Sequence, residues 1–155
     1  MRMQRGNARR MQRTKRVTSP LPPRSGKSAS VTRVRLSAST KPGKKKMVRI
    51  TRASGEECVV HFGQAGASDY TRHKDAARMR RYLIRHAGVN VAREGSKDLQ
   101  RSLLRVTRSG REDWSSGGLC TAGFWSRWLL WSQPSLKKAA RLIEDRFGLR
   151  VTLVR

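Results

Sequence analysis

The residues whose types and spacing suggest chemistry begin with RSGKS at 24–28, which matches the end of a phosphate-binding loop. That loop also needs a glycine five positions before the GKS glycine, so that its backbone amides can wrap the phosphates. Position 21 is Leu21, and Pro22 and Pro23 remove further amide donors. The motif therefore does not predict nucleotide hydrolysis.

The HKD motif at 73–75 is contiguous, whereas the phosphodiesterase signature of similar spelling spreads its three residues along a strand and a loop. The pattern predicts a helix here, on which the three side chains point in different directions. Asp75 is then a residue of the first part of the helix, close to the positive end of its dipole. We therefore assign no catalysis to HKD.

The potential metal ligands have no suitable spacing. No C-x₂-C or H-x₃-H pair occurs among the histidines and cysteines, which are His61, His73, His86, Cys58 and Cys120. Paired carboxylates in a recognisable frame and a GxSxG motif are also missing from the sequence. We predict a protein that is not an enzyme, with no metal and no cofactor. Two cysteines form no disulfide framework, so we predict reduced thiols in an intracellular protein.

The chemistry that the composition favours is electrostatic. The 155 residues include 36 Lys and Arg against 10 Asp and Glu, a formal net charge of +26. Such a charge predicts an anionic partner, first of all nucleic acid, because many cations together displace counterions from phosphates. An anionic membrane surface is the second choice. With no run of 18 apolar residues, the sequence predicts no membrane-spanning helix.

The candidate nucleic-acid-binding residues fall into two groups. The first lies in the segment 1–46, which holds 15 Lys and Arg and no Asp or Glu. The second recurs at i, i+4, i+7 and i+11 and forms one stripe on a predicted helix. The first group is Arg9, Arg10, Arg13, Lys15, Arg16, Lys44, Lys45 and Lys46, and the second is Lys74, Arg78, Arg81 and Arg85.

Segment 1–46 has few large apolar side chains and no aromatic residue, which predicts a disordered basic N-terminal arm. The stretch VTRVRL at 31–36 alternates and is expected to pair as a strand only if a partner supplies an edge. An Arg-rich, acid-free segment also fits an organellar transit peptide or a nuclear signal. We favour a permanent arm, because Pro20, Pro22 and Pro23 interrupt a long presequence helix. The expected location is intracellular, in the nucleus, or in an organelle if residues 1–46 act as a transit peptide.

Residues 47–155 are predicted to form one small, helix-rich α+β domain. MVRIT and CVVHF alternate around ASGEE, which predicts an N-terminal β-hairpin. Ser68 or Asp69 caps a helix that runs from Tyr70 to His86 and ends at Gly88. A shorter helix follows at 96–106, and LRVTLV at the end predicts a closing strand that adds to the hairpin.

TAGFWSRWLLWSQPSL at 121–136 is the most apolar stretch of the chain. It predicts a helix from Thr121 to Trp131 or Ser132, and Pro134 suits the first turn of a new helix after Ser132 or Gln133. A helix that is apolar nearly all round must be buried on most sides. Its aromatic residues are therefore predicted to be core, with an exposed tryptophan at an interface, and membrane insertion, as alternatives; they are Phe124, Trp125, Trp128 and Trp131.

Arg127 lies within this apolar stretch. If the segment is core, its side chain is expected to reach outward along the helix, or to pair with an acid such as Glu144 or Asp145. Replacement of Arg127 by Gln is then expected to be mild.

The motifs HFG, SDYTRHKD, RRYLIRH, a single Trp and TAGFWSRWLLWSQPSL follow one another in this order between residues 61 and 136. This pattern resembles a family of small, uncharacterised basic proteins of large DNA viruses of algae and amoebae, and of some algae. The resemblance covers about residues 47–147, while the basic arm lies outside it and 87–113 is longer than the usual link. It implies a shared fold, a virus-like or alga-like origin and hence the virion as a further expected location, and it brings no catalytic residues.

The sequence thus predicts a non-enzymatic protein that binds nucleic acid largely through phosphates, packaged with or organising a viral genome. The alternative is a structural minor component of a large assembly, such as a capsid or a ribosomal particle, whose partners are other proteins. A membrane-surface protein is the third reading. The first 16 residues, its amphipathic anchor, have no aromatic side chain to insert.

Overall fold

The sheet of the protein has four strands. The structure, a computed structural model, describes residues 31–88, 90–93 and 95–154. Strands β1 (Val31–Ala38), β2 (Lys44–Arg52), β3 (Glu57–Gln64) and β4 (Val151–Leu153) form one sheet in the order β3-β2-β1-β4. The first three strands are antiparallel neighbours, and β4 runs parallel to β1. Helices cover one face, which confirms the predicted α+β class.

Strand β1 lies inside the segment that the sequence assigned to a disordered arm. Its alternation places Val34 and Leu36 in the core, each 2% exposed, opposite Ile50 and Val48 of β2. The partner edge that VTRVRL needs is therefore supplied by the same chain. The predicted arm boundary at residue 46 is wrong, because the described domain begins at Val31 and includes Lys44–Lys46.

The predicted β-hairpin is present as β2 and β3, and its apolar residues Val48, Ile50, Val60 and Phe62 are buried. The predicted closing strand is also present as β4. It pairs with β1 rather than with the hairpin. The reason is that β1 already occupies the free edge of β2, so β4 adds to the outer edge of β1.

Five helices pack against the sheet or against one another. They are α1 (Tyr70–His73), α2 (Ala76–Ala87), α3 (Leu99–Leu104), α4 (Ala122–Trp125) and α5 (Leu136–Phe147). A short 3-10 turn at Ser116–Gly118 and a π turn at Ser126–Leu130 complete the described helical structure. Helix α5 begins later than predicted: Ser135 is its cap, with Oγ accepting from Lys138 N at 3.3 Å, and Pro134 precedes the cap.

The predicted continuous helix 70–86 is broken at Lys74, which has a left-handed backbone with φ 55°. Two aspartates explain the break. Asp69 caps α1 by accepting from Thr71 N, and Asp75 caps α2 by accepting from Ala77 N and Arg78 N. Each carboxylate satisfies backbone donors that a helix start leaves unpaired, so two starts are stabilised within six residues.

The tryptophan segment forms the centre of the core, as predicted, but not as one α-helix. Phe124, Trp125 and Trp128 are at most 1% exposed, whereas Trp131 is only half-buried. The π turn closes with Trp131 N donating to Ser126 O at 3.1 Å. One extra residue in a turn rotates everything after it by about 100°. This places Trp131 away from the face that it was predicted to share with Phe124 and Trp128.

Cys58 and Cys120 form a disulfide that ties β3 to the loop before α4. The prediction of two reduced thiols is therefore wrong. The two residues are 62 positions apart in the sequence, and the fold brings their Cα atoms to 6.1 Å. Nothing local to either cysteine carries this information, because the pairing follows from tertiary contacts.

Candidate nucleic-acid interface

A cleft of about 620 Å³ lies between α2, the adjoining ends of β2 and β3, and the segment formed by α4 and the π turn. One wall is basic, and the floor is formed by aromatic and small side chains. Among the residues that line it are Lys44, Gly63, Arg78, Arg81, Tyr82, Arg85, His86, Glu112, Gly123 and Trp131. This cleft brings together more of the predicted site residues than any other part of the described structure.

Helix α2 builds the basic wall. Arg78, Arg81 and Arg85 are all exposed and line the cleft, while Met79 and Leu83 on the opposite face are buried. The predicted cationic stripe is therefore confirmed for these three residues. Lys74 is wrong as a member of the stripe: it is exposed, but it occupies the helix break and does not line the cleft.

The three consecutive lysines at the start of β2 were predicted to contact phosphate, but they differ in exposure and in their contacts. Lys44 is exposed and lines the cleft. Lys45 is bound within the fold, since its Nζ donates to Asp69 Oδ2 and, at 2.8 Å, to Ala67 O. Lys46 is half-buried and lies opposite Phe62 in the register of β2 and β3. The structure therefore leaves Lys44 as the best placed of the three to meet an anion in the cleft.

The carboxylates that line the cleft are hydrogen-bonded within the fold. Asp69 is held by Lys45, and Glu112 accepts from Trp114 Nε1 at 2.8 Å and contacts His86 Nδ1 at 2.8 Å. Within residues 31–88, 90–93 and 95–154, no carboxylate pairs with the other wall cations Lys44, Arg78 and Arg85. These side chains thus face solvent in the cleft without a protein counter-charge.

Three stacked rings form the aromatic part of the cleft. The Tyr82 ring is parallel to Trp131, with a 5° interplanar angle and 4.5 Å between centroids. On its other side Tyr82 stacks on His86 at 4.2 Å. Burial, reinforced by the nearby charge of Glu112, raises the pKa of Tyr82, so its hydroxyl stays neutral at physiological pH. The helical period of the sequence does not show this stack, because the π turn is what directs Trp131 toward Tyr82.

His73 lies beside the same stack, 5.3 Å from the Trp131 ring. Its Nδ1 accepts from Asp75 N at 2.9 Å, which leaves the proton of the neutral ring on Nε2. Burial, and then the positive charge of Arg78, lower the pKa of His73. HKD is therefore a helix-break motif in this fold, in which His73 and Asp75 stabilise the turn around Lys74.

Two glycines allow the cleft walls to approach closely. Gly63 has φ +72°, and a Cβ there would lie 2.8 Å from Leu130 Cδ1. At Gly123 a Cβ would lie 2.7 Å from Glu112 Oε2. An alanine at Gly63 would strain the backbone and displace the end of the Leu130 side chain, and at Gly123 it would displace the Glu112 carboxylate. Sequence analysis singled out neither residue.

A second basic surface lies on the face of the sheet that the helices leave open. Arg33, Arg35 and Arg49 are exposed there, and Arg35 is directly opposite Arg49 across β1 and β2. Glu57 compensates part of this charge by contacting Arg49 at 3.0 Å. The sequence assigned Arg33 and Arg35 only to the arm in general, because their shared face depends on the pairing of β1.

The remaining predicted residues form no site in the described structure. Arg9, Arg10, Arg13, Lys15 and Arg16 lie outside the described residues, as does RSGKS. In the described ranges, no three His, Cys, Asp or Glu side chains gather where they could hold a metal ion. Likewise, no helix in those ranges has the length and apolar character needed to cross a membrane. The arrangement of the cleft suits an anion that also carries a flat, apolar group.

Comparisons with known proteins add one similarity. Residues 34–86 match the model of a family described as a family of unknown function (DUF5754). Comparison with curated proteins finds no match, and comparison with solved structures finds none either. The matched span runs from β1 to α2 and so includes the basic wall of the cleft, but it ends before Trp131. The chain is therefore similar to this family over about a third of its length.

Proposed function

We propose that the protein binds nucleic acid without catalysing a reaction, and that its folded domain contributes to binding through phosphate contacts along α2. The observation that carries the proposal is the pairing pattern in the cleft. Arg78 and Arg85 on α2 face Lys44 across the opening, while the carboxylates beside them are bound by other groups. A phosphate in the cleft is thus attracted by five Lys and Arg side chains, which outnumber the two carboxylates of the lining.

The overall charge supports the same proposal. A net charge of +26 attracts polyanions at long range, and phosphate contacts position a nucleic acid without reading its bases. Both the cleft and the open sheet face present arginines, which bind phosphate through a planar fork of donors. Binding is therefore expected to be largely independent of sequence and strongly dependent on salt.

A titration of the full chain with labelled nucleic acid at several salt concentrations tests this proposal. The key variant changes Arg78, Arg81 and Arg85 together to Gln. Because each lost phosphate contact reduces the slope of log K against log salt by about 0.7–0.9, we expect the slope to fall by about 2 in total. The three side chains are exposed, so the variant is expected to keep its thermal melt.

The matched control changes three exposed arginines outside the cleft to Gln, namely Arg105, Arg108 and Arg141. Both variants lose the same charge, so general attraction is reduced equally in the two. If the cleft binds phosphate, only the α2 variant loses the predicted slope. Equal slopes for the two variants would refute a role of the cleft. Absence of nucleic-acid binding even at low salt would instead favour a protein partner in a large assembly.

A further inference from the structure

We propose that the cleft takes an unpaired nucleotide of a single-stranded nucleic acid, with the base on the aromatic stack and the phosphates on α2. This inference rests on the proposed function, because it names the form of nucleic acid that the same cleft accepts. It goes further in predicting a preference for single strands over duplexes.

The aromatic stack is the first structural feature that favours an unpaired base. Three rings lie in series, Trp131 on Tyr82 and Tyr82 on His86, and all three line the cleft. Trp131 and His86 at the two ends are only half-buried. A stack with partly exposed ends offers a nucleobase the same contact that it makes with its neighbours in a strand. Phosphate binding alone would need no aromatic surface here.

The position of the cations relative to the stack is the second feature that favours a single strand. Tyr82 and His86 belong to the same helix as Arg78, Arg81 and Arg85, so rings and cations lie along one element. At 1.5 Å per residue, Arg78 and Arg85 are separated by about 10 Å along the helix axis. This distance matches the rise of about three stacked nucleotides. A strand running along α2 can therefore place phosphates on the arginines and a base on the rings.

The shape of the cleft is the third feature that favours a single strand. Its volume of about 620 Å³ lies within the range of about 300–1,000 Å³ typical of pockets for small molecules. A duplex keeps its bases paired between two backbones, and must flip a base out at a cost of a few kcal/mol before that base can enter a pocket. An unpaired base meets no such cost. The cleft geometry thus favours a single strand, whereas a basic surface alone would favour the more highly charged duplex.

The test compares an oligothymidylate of about 12 nucleotides with a duplex of the same length, at about 0.2 M salt, where phosphate-only binding is weak. The full chain is used with Trp131→Leu and Trp131→Phe. We expect Trp131→Leu to weaken binding of the single strand about tenfold and to leave duplex binding unchanged, while Trp131→Phe restores most of the affinity. Thermal melts of both variants show that the fold is kept.

Tryptophan fluorescence gives a second readout that does not depend on the affinity of a variant. Trp114, Trp125 and Trp128 are at most 2% exposed, which leaves Trp131 as the accessible indole. Stacking of a base on Trp131 is expected to quench the emission of the parent protein. The same titration of Trp131→Phe is expected to show little quenching.

The outcomes separate this inference from the proposed function. If the α2 arginine variant binds every nucleic acid as well as its control does, the proposed function fails. If that variant loses affinity but Trp131→Leu does not, or if the duplex binds as tightly as the single strand, phosphate binding stands and the single-strand assignment is overturned. Binding of thymidine monophosphate without binding of the oligonucleotide would also overturn it, in favour of a free nucleotide.

Discussion

Replacement of Arg127 by Gln is expected to destabilise the domain strongly, in contrast to the mild effect expected from sequence. The Arg127 side chain is fully buried and does not reach solvent, Glu144 or Asp145. Its guanidinium donates to Trp131 O at 2.8 Å and to Leu103 O and Val106 O at 3.0 Å each. It also lies over the ring of Trp128, at 4.6 Å from the centroid. Carbonyl dipoles and ring faces thus take the place of a carboxylate.

The size of the destabilisation follows from the carbonyl oxygens that lose their hydrogen-bond donor when Arg127 is replaced. Leu103 O also accepts from Val106 N, whereas Trp131 O and Val106 O have Arg127 as their donor in the described structure. A fully buried carbonyl without a donor costs about 1–3 kcal/mol, so these two part-buried carbonyls together cost at most about 6 kcal/mol. Removal of the buried positive charge offsets part of this loss, because the charge no longer has to be taken out of water on folding. We expect a net loss of about 3 kcal/mol, out of about 5–15 kcal/mol for a whole domain.

Burial lowers the pKa of Arg127 to about 10, so the guanidinium remains charged at pH 7 and its hydrogen bonds are charge-assisted. A thermal melt followed by circular dichroism measures the loss, expected as a fall of about 10 °C in Tm for a domain of this size. Arg127→Lys is expected to lose nearly as much, because an ammonium cannot match the planar fork that reaches three carbonyls.

Arg141→Gln is the matched control, since Arg141 is exposed on α5 and the chemical change is the same. It is expected to shift Tm by no more than about 2 °C. If Arg127→Gln melts within the same margin as the control, the three hydrogen bonds do not stabilise the fold and the reasoning is refuted.

Two further perturbations test the disulfide and the helix break. Reduction of Cys58–Cys120 opens a link between residues 62 positions apart, and loop-closure entropy gives a loss of about 4 kcal/mol in the free energy of unfolding. The reduced chain should therefore melt at a lower temperature than the oxidised chain, and coincident melts would contradict this stabilisation. For His73, burial and Arg78 lower the pKa in the folded state, so the unfolded chain binds the proton first. Stability is then complete above pH 6.5 and decreases as the pH falls below it. His73→Asn should remove this pH dependence of the free energy of unfolding, measured by denaturant titrations between about pH 5 and pH 7.5. If the free energy of unfolding of the variant changes with pH as steeply as that of the parent, the assignment to His73 is wrong.

Local patterns account for the parts of the fold that the sequence predicts well. The alternation of MVRIT and CVVHF reports which side chains face the core, because a strand with one solvated face has a period of two. The stripe of Arg78, Arg81 and Arg85 follows from the helical period in the same way. Gly88 and Gly148 end α2 and α5 in left-handed conformations, as glycine does at helix C-termini.

The parts that sequence reasoning misses depend on partners that lie far along the chain. VTRVRL alternates like a strand, but its neighbours are basic and the segment reads as an arm until β2 and β4 are placed beside it. Cys58 and Cys120 are uninformative as a pair until the sheet and the loop before α4 are packed together. The π turn depends on packing as well, since TAGFWSRWLLW has no glycine or proline within the turn itself.

In the candidate site, too, some features follow from local sequence patterns and others depend on residues that lie far apart in the chain. Its cations are visible in the sequence because they repeat on one helix, whereas its aromatic floor and its charge balance are assembled from separate segments. Glu112 is held in place by His86 and Trp114, and Asp69 by Lys45, and the contacts to His86 and Lys45 join residues that are distant in the sequence. The lining holds five Lys and Arg side chains against these two carboxylates, so the cleft carries a net positive charge. Trp131 faces this charge only because one extra residue in the π turn rotates it out of the core. A substitution that restored a regular α-helical turn at Ser126–Leu130 would thus keep every residue of the site and still remove its aromatic surface.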